Sequence, residues 1–392
     1  MQLSRIPKAI IARIRWVTHW RCAEPVVVFE SDDWGMQRGG NLAAFQPYGE
    51  LKDFTTEQTE TLSSLQSLYD TLESYPDCKG RPPIFTANFI TGNPDYVAIE
   101  ADGFEKYTDI PISADKELLS GWKEGMERQV FYPQYHGRSH YWIENWLKDL
   151  QKDVPGAREL FKKRQNGGLA LLKNANWRYH SEYINWQNGD KMSGDELKTW
   201  INTGLKYFED AFGFQPQSTI SPHYLLPSST LKVLAEVGFR FIQGGNYHIL
   251  RNTQTGEQLN LNHALGERAA EGMLFLARNV RFEPRPSRPE MGLESAWRNI
   301  ERCFKANVPV IIDTHRINYT GAWQEESRQA LSSLLKRISQ YKPHFLTSVE
   351  LGQAIQNDGK YVDVWSNETH FLQVRDSAFQ KLIRRKLPLF NS

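Results

Sequence analysis

Three short stretches concentrate the side chains able to do acid–base and metal chemistry: Ser31-Asp32-Asp33-Trp34-Gly35, His136-Gly137-Arg138-Ser139-His140 and Asp313-Thr314-His315-Arg316. Two imidazoles four residues apart reach one metal ion if they share a face of a helical turn. With one carboxylate they make a His-His-Asp set that leaves a position open for water. Taken singly, each stretch has a plainer reading. An Asp-Asp-x-Gly is as readily a turn whose Asp caps the next backbone, and a lone His315 is by default a buried, hydrogen-bonded ring. Ten histidines scattered at random in 392 residues would seldom give three strand ends that carry Asp-Asp, His-x-x-x-His and His.

The elements that must position them alternate. Val26-Val27-Val28-Phe29 reads as a buried strand entered after Pro25 and running straight into the acid pair. Neighbouring strand residues point to opposite faces, so Asp32 and Asp33 need a bend or an edge to serve one site. Further strand-like runs appear at Ile84 to Phe89, Val130 to Tyr132, Ser218 to Ile220, Phe239 to Ile242, Leu274 to Ala277, Val308 to Ile312 and His344 to Thr347. Helical patterns separate them, among them Leu62 to Leu72, Ser229 to Val237 and Leu293 to Phe304. Strands apolar on both faces that alternate with helices predict an α/β fold with a parallel sheet. Seven or eight such strands favour a (β/α) barrel, in which the strand tips share one mouth. We expect a barrel domain over 22–356 carrying a largely helical insertion at about 142–213. A basic amphipathic helix over 1–21 precedes it and an appendage over 357–392 follows.

Composition narrows the class of function. A formal net charge of +1 argues against a protein built to hold nucleic acid. Cys22, Cys78 and Cys303 are odd in number and widely spaced, which indicates neither a disulfide framework nor a thiolate zinc site. Twelve Trp, 16 Tyr and 20 Phe suit platforms that stack on sugar rings as well as a core. The first 21 residues hold five Lys or Arg and no acid, with Ile6, Ile10, Ile14 and Val17 at helical spacing. They lack the apolar core of a secretory signal, so a cytoplasmic location is expected. A terminal helix packed on the domain is the preferred reading, with peripheral contact to an anionic membrane as its alternative.

The set and its order resemble the polysaccharide deacetylase family, carbohydrate esterase family 4, from about Pro25 to Leu351. Phe29-Glu30-Ser31-Asp32-Asp33-Trp34-Gly35 resembles that family's Thr-Phe-Asp-Asp-Gly motif, and His136 to His140 its His-Ser/Thr-x-x-His motif. Phe208 to Pro216, Ser221-Pro222-His223 and Gly238 to Phe241 are similar to the stretch around its third motif. Pro309 to His315 is similar to its Ile-Ile-Leu-Leu-His strand. The resemblance implies a distorted (β/α) barrel of about seven parallel strands. It implies a hydrolase that removes N- or O-acetyl groups from a polysaccharide or glycoconjugate. Asp33, His136 and His140 would hold a divalent metal, zinc first, with Asp32 as general base and His315 as general acid. The loop around Tyr224 would supply a backbone N–H to the oxyanion.

Substrate contacts are expected from Trp34, Tyr135, Tyr141, Trp142, Pro222, His223, Tyr224 and Arg278. Four departures stand out: Trp34 before the glycine, Gly137 for Ser or Thr, Ser221 for the arginine that pairs with the base, and Arg316 for the Asp after His315. Arg278, Arg281 and Glu283 are candidates, from a different strand, for the missing charge partners. Two other readings compete. One is a metal-independent glycoside hydrolase on a similar barrel; the other is a non-catalytic glycan-binding homologue.

Overall fold

The computed structural model describes Trp16, residues 18–38, 58–171, 179–269 and 271–377, and Gln380. Most of the basic N-terminal helix expected from sequence and the Arg384-Arg385-Lys386 tail lie outside the described residues.

One sheet organises the chain. Its strands are β1 (Val26–Trp34), β2 (Phe85–Ile90), β3 (Phe131–Gly137), β4 (Ser218–Ile220), β5 (Phe241–Gly244), β6 (Leu274–Ala277), β7 (Val280–Arg281), β8 (Val310–His315) and β9 (His344–Phe345). They run in the order β6-β5-β4-β3-β2-β1-β8-β7, with β9 pairing the start of β1. Neighbours along this order are parallel. The two ends of the order, β6 and β7, are separated in sequence only by Arg278 and Asn279, so the chain itself spans the gap and the sheet curls into a distorted (β/α) barrel.

Both spanning residues are tied to the strands that flank those they join, β5 on one side and β8 on the other. Arg278 N–H donates to Gly244 O at 2.8 Å and Asn279 N–H to Ile311 O at 3.2 Å. The Asn279 side chain adds two bonds of the kind a strand would make. Its Nδ2 donates to Pro309 O at 2.8 Å, and its Oδ1 accepts from Ile311 N–H at 3.0 Å. The fold class expected from sequence is the one observed, with nine strands in place of about seven. At two residues, β7 is too short for an apolar run to mark it.

The flanking helices are α1 (Leu62–Glu73), α2 (Lys116–Glu127), α3 (Ile143–Gln151), α4 (Gly194–Phe212), α5 (Ser228–Glu236), α6 (Leu293–Lys305), α7 (Gln324–Ser339) and α8 (Ser348–Gln356). Reciprocal capping boxes start three of them: Thr61 with Ser64, Ser193 with Glu196, and Thr347 with Glu350. α4 ends where Gly213 takes a φ of 79°, the left-handed conformation that glycine adopts without a Cβ clash. β1 is buried along its whole length at the centre of the core. Phe29 stacks on Phe85 at 5.3 Å, and Phe89 meets Trp122, Phe131 and Phe212 at 4.8–5.9 Å between ring centroids. No helix among the described residues is long and apolar enough to cross a membrane.

The Asn279 bonds predict a measurable weakness at the seam. Asn279→Ala leaves Ile311 N–H and Pro309 C=O unpaired and should cost about 1–3 kcal/mol of stability. Urea unfolding checks this, and a change within error would contradict the role of the seam.

Candidate active site

β1 and β2 hold register from Phe29 against Phe85 to Ser31 against Ala87, then shift before Trp34 meets Phe89. Asp33 sits in that shift with a φ of 73°, a conformation costly for any residue but glycine. This bulge is the bend the sequence required, since it turns two successive carboxylates towards one cavity. Asp32 and Asp33 both line a cleft of about 280 Å³, together with His136, His140, His223 and His315.

His136 closes β3, and His140 follows in an irregular loop with a φ of 70°. The pair therefore does not lie on a helical turn, as its spacing suggested. The loop pivots at Gly137, whose φ is 137° and where a Cβ would collide with the carboxylate of Glu182. Glu182 accepts hydrogen bonds from the Arg138 N–H at 3.1 Å, the Ser139 N–H at 2.8 Å and Trp200 Nε1 at 2.9 Å. A buried carboxylate thus shapes the loop, and it explains why glycine stands where the resembling family has a hydroxyl. Nothing in the sequence around Glu182 signalled this.

Asp33 Oδ1 lies 3.3 Å from His136 Nε2 and 3.5 Å from His140 Nε2. Ligand bonds of ~2.0–2.1 Å in a tetrahedron separate their atoms by roughly 3.3 Å, so these spacings fit one zinc-sized ion. His136 Nδ1 lies 3.0 Å from Ile220 O; a proton there would leave the Nε2 lone pair to face Asp33. His140 is held well below the ordinary histidine range by burial, against the pull of Asp33, and so stays neutral. Burial also opposes protonation of His136, but Asp33 and Asp32 outweigh it and raise its pKa. Asp33, buried but facing both rings, is held well below the carboxylate range. Two imidazoles and a carboxylate are a donor set that suits a divalent metal.

Asp32, Asp313 and His315 also approach one another, but Arg278 already occupies the space between the two acids. Its Nη1 donates to Asp32 Oδ2 at 2.7 Å and to Asp313 Oδ1 at 2.6 Å; its Nη2 reaches Asp32 Oδ1 at 2.7 Å and its Nε reaches Glu30 Oε2 at 2.6 Å. Asn88 Nδ2 adds a bond to Asp32 Oδ1 at 2.7 Å. Burial works to raise the Asp32 pKa, yet the charge and hydrogen bonds of Arg278 hold it at about 2. Arg278 therefore takes the place of the arginine missing at Ser221.

The other missing partner is supplied in the same way. His315 Nδ1 lies 2.5 Å from Glu283 Oε1, while its Nε2 lies 3.8 Å from Asp32 Oδ2. Burial disfavours the imidazolium, but Glu283, with Asp313 and Asp32 beyond it, lifts the His315 pKa to about 10. Arg316, where the resembling family has Asp, turns away into the core and donates to Glu60 Oε2 at 2.7 Å.

The expected substrate contacts divide. Tyr141, His223 and Tyr224 line the cleft. Tyr141 OH accepts from Arg38 Nη2 at 2.9 Å, and Tyr224 OH donates to Asp313 Oδ2 at 3.1 Å. Trp34 does not reach the cleft: it is 1 % exposed, donates to Ser31 Oγ at 2.9 Å and packs edge-on against Phe131. Tyr135, packed on Phe239, and Trp142, at the start of α3, are likewise buried away from it. Pro222 is buried in the short turn after β4, and Arg278 lies behind Asp32. The Tyr224 N–H donates to Ser221 O at 2.9 Å, so that amide is not free for an oxyanion. Sequence reasoning passed over Arg38, His180, Tyr247, Arg285 and Arg288, which also line the cleft. They sit on loops and on the hairpin Tyr247–Arg251/Gln258–Asn262, where no periodicity marks a facing side chain.

No family model matches the chain, and no curated protein matches it in sequence. Among solved structures it is similar to a mutant, with restored enzymatic activity, of a CE4 family pseudoenzyme from Bacillus anthracis, at 11 % identity and a TM-score of 0.39 over 84 % of this chain and 68 % of that one. A family 4 acetyl xylan esterase from Clostridium thermocellum, solved with a cobalt ion, matches at 10 % identity and 0.38 over 83 % and 89 %. A 4-alpha-glucanotransferase from Thermococcus litoralis matches at 10 % identity and 0.40 over 84 % of this chain but only 40 % of its own. At these identities and scores no property of those proteins transfers to this chain.

The Glu283–His315 pair predicts a titration. A folded pKa of about 10 lies above the unfolded value, so protonated His315 contributes stability that is complete below about pH 6.5 and is lost as pH rises through 10, while Glu283, lowered in the fold, loses its own contribution in acid. In the metal-free protein, the His315 ring followed by NMR should stay protonated well past neutrality, and Glu283→Gln should lower its midpoint by more than one unit. A wild-type midpoint near 6.5 would contradict the pairing.

Proposed function

We propose that this protein is a metal-dependent hydrolase that removes N- or O-acetyl groups from a glycan or glycoconjugate. The observation that carries this reading is one cleft holding three arrangements: a carboxylate and two imidazoles converging at Asp33, His136 and His140, an ionised Asp32 clamped by Arg278, and a His315 imidazolium backed by Glu283. Asp33, His136 and His140 would hold the ion, which supplies Lewis-acid polarisation of a carbonyl and acidifies water.

The remaining chemistry belongs to side chains. Asp32 stays ionised at every working pH and accepts the proton of the attacking water. A carboxylate so weakly basic suits only a water that is already acidified. His315, protonated and 3.8 Å from Asp32, donates a proton to the leaving sugar oxygen or nitrogen. Glu283 holds that ring by its Nδ1, which directs Nε2 into the cleft.

The competing readings fit less well. A glycoside hydrolase needs one carboxylic acid kept protonated. Asp32, Asp33 and Glu283 are all held below the ordinary carboxylate range, and Asp313 is engaged by Arg278 and Tyr224. The glycan-binding reading was prompted by missing charge partners, and Arg278 and Glu283 supply both.

Acetate release from a panel of acetylated glycans tests the proposal. We expect release that chelation abolishes and zinc restores, and at least a hundredfold loss of kcat on Asp32→Asn, in the range general-base catalysis contributes. Glycosidic cleavage that survives chelation, or Asp32→Asn acting like wild type, would overturn it.

A further inference from the structure

A second group of side chains in the cleft is not used by acetyl chemistry. The segment Glu283-Pro284-Arg285-Pro286-Ser287-Arg288-Pro289 follows β7, and its three prolines limit the backbone that carries two arginines. Arg285 lines the cleft and is only 3 % exposed. Its Nη2 donates to Glu283 Oε2 at 2.9 Å, but its Nε and Nη1 are buried with no hydrogen-bond partner. Three of the five guanidinium N–H groups therefore lack an acceptor, a costly state for a buried cation. Glu283 also accepts from His315 Nδ1 at 2.5 Å and from Asn318 Nδ2 at 3.0 Å, and it makes no bond to Arg285 Nε or Nη1.

The surroundings add positive charge. Arg281 and Arg288 line the same cleft, and the Arg281 side chain is 49 % exposed with Asp313 Oδ2 at 3.5 Å. Asp313 is shared with Arg278, which also takes Asp32 from behind the cleft. A planar guanidinium matches a carboxylate or phosphate with two parallel bonds.

We propose that Arg285, assisted by Arg281 and Arg288, forms an anion subsite, so that the glycan processed here carries a carboxylate, phosphate or sulfate on or beside the acetylated sugar. This rests on the deacetylase reading for its link to catalysis but not for the binding itself. A neutral sugar in the same place would offer the Arg285 donors only hydroxyl oxygens, weaker acceptors than a charged group that two parallel bonds can engage, and that is the basis of selection.

Calorimetric titration of the full chain with trigalacturonate, glucose 1-phosphate and maltotriose tests the subsite without any turnover. At least one of the two anions should bind about tenfold or more tighter than maltotriose, and the one that does identifies the charged group. Arg285→Gln and Arg288→Gln should each weaken that binding about tenfold to a hundredfold, the scale of hydrogen bonds to a charged group. Arg288→Gln guards against a folding defect at the buried site. Equal affinity for all three probes, or anion binding indifferent to both substitutions, would overturn the subsite. Acetate release from neutral acetylated xylan with no anion preference sinks the subsite and leaves the deacetylase intact. Arginine-dependent anion binding with no acetate release from any glycan does the reverse.

Discussion

The Arg278 guanidinium is the constraint on which this structure turns. Glu30, Asp32 and Asp313 are buried carboxylates, and each would cost several kcal/mol to ionise there without a partner. Arg278 meets all three at 2.6–2.7 Å from the seam where the chain crosses from one end of the sheet to the other. The residue that spans the seam of the barrel is therefore also the one that keeps Asp32 ionised. A polar layer continues from it, through Asn88 to Gln243 at 2.7 Å and from Gln243 to Ser218 at 2.8 Å. Even so, burial leaves Glu30 with a pKa of about 7, against the pull of Arg278. The same cation thus favours ionisation of Asp32 more than that of Glu30.

Around that anchor the backbone is held where it would not rest by itself. Asp33, His140, His223 and Tyr224 all have positive φ, and all four line the cleft. Each such residue costs of order 1–3 kcal/mol and persists only where its surroundings over-determine it. For Asp33 the determinant is the register shift between β1 and β2; for the histidine loop it is Glu182, gripping two successive amides. Strain here does the same work twice: it brings side chains from one strand end, and from one short loop, onto a common point.

Most of the barrel could be read from sequence because each long strand is apolar on both faces, a pattern that only a covered parallel sheet explains. The clustering at the tips could be read because Asp32, Asp33, His136, His140 and His315 are titratable residues at the ends of three apolar runs. What escaped were relations across distance. That Arg278 replaces an arginine at Ser221, and Glu283 an acid at Arg316, depends on which strands adjoin at the seam, and β7 is too short to announce itself. Glu30 was within reach, since it lies two residues before Asp32 and so faces the same side of β1. The aromatic contacts misled for a simple reason: Trp34, Tyr135 and Trp142 flank the motifs in sequence, but the alternation of a strand or the start of a helix turns them into the core.

The chemistry proposed for the cleft depends most directly on Asp33, His136 and His140 acting as one ligand set. Metal analysis of the purified protein, by mass spectrometry after dialysis against a weak chelator, addresses that claim alone. Wild type should retain one zinc-like divalent ion per chain, and His136→Ala and Asp33→Ala should retain none while remaining folded. Substoichiometric metal in wild type, or full retention in both variants, would contradict it.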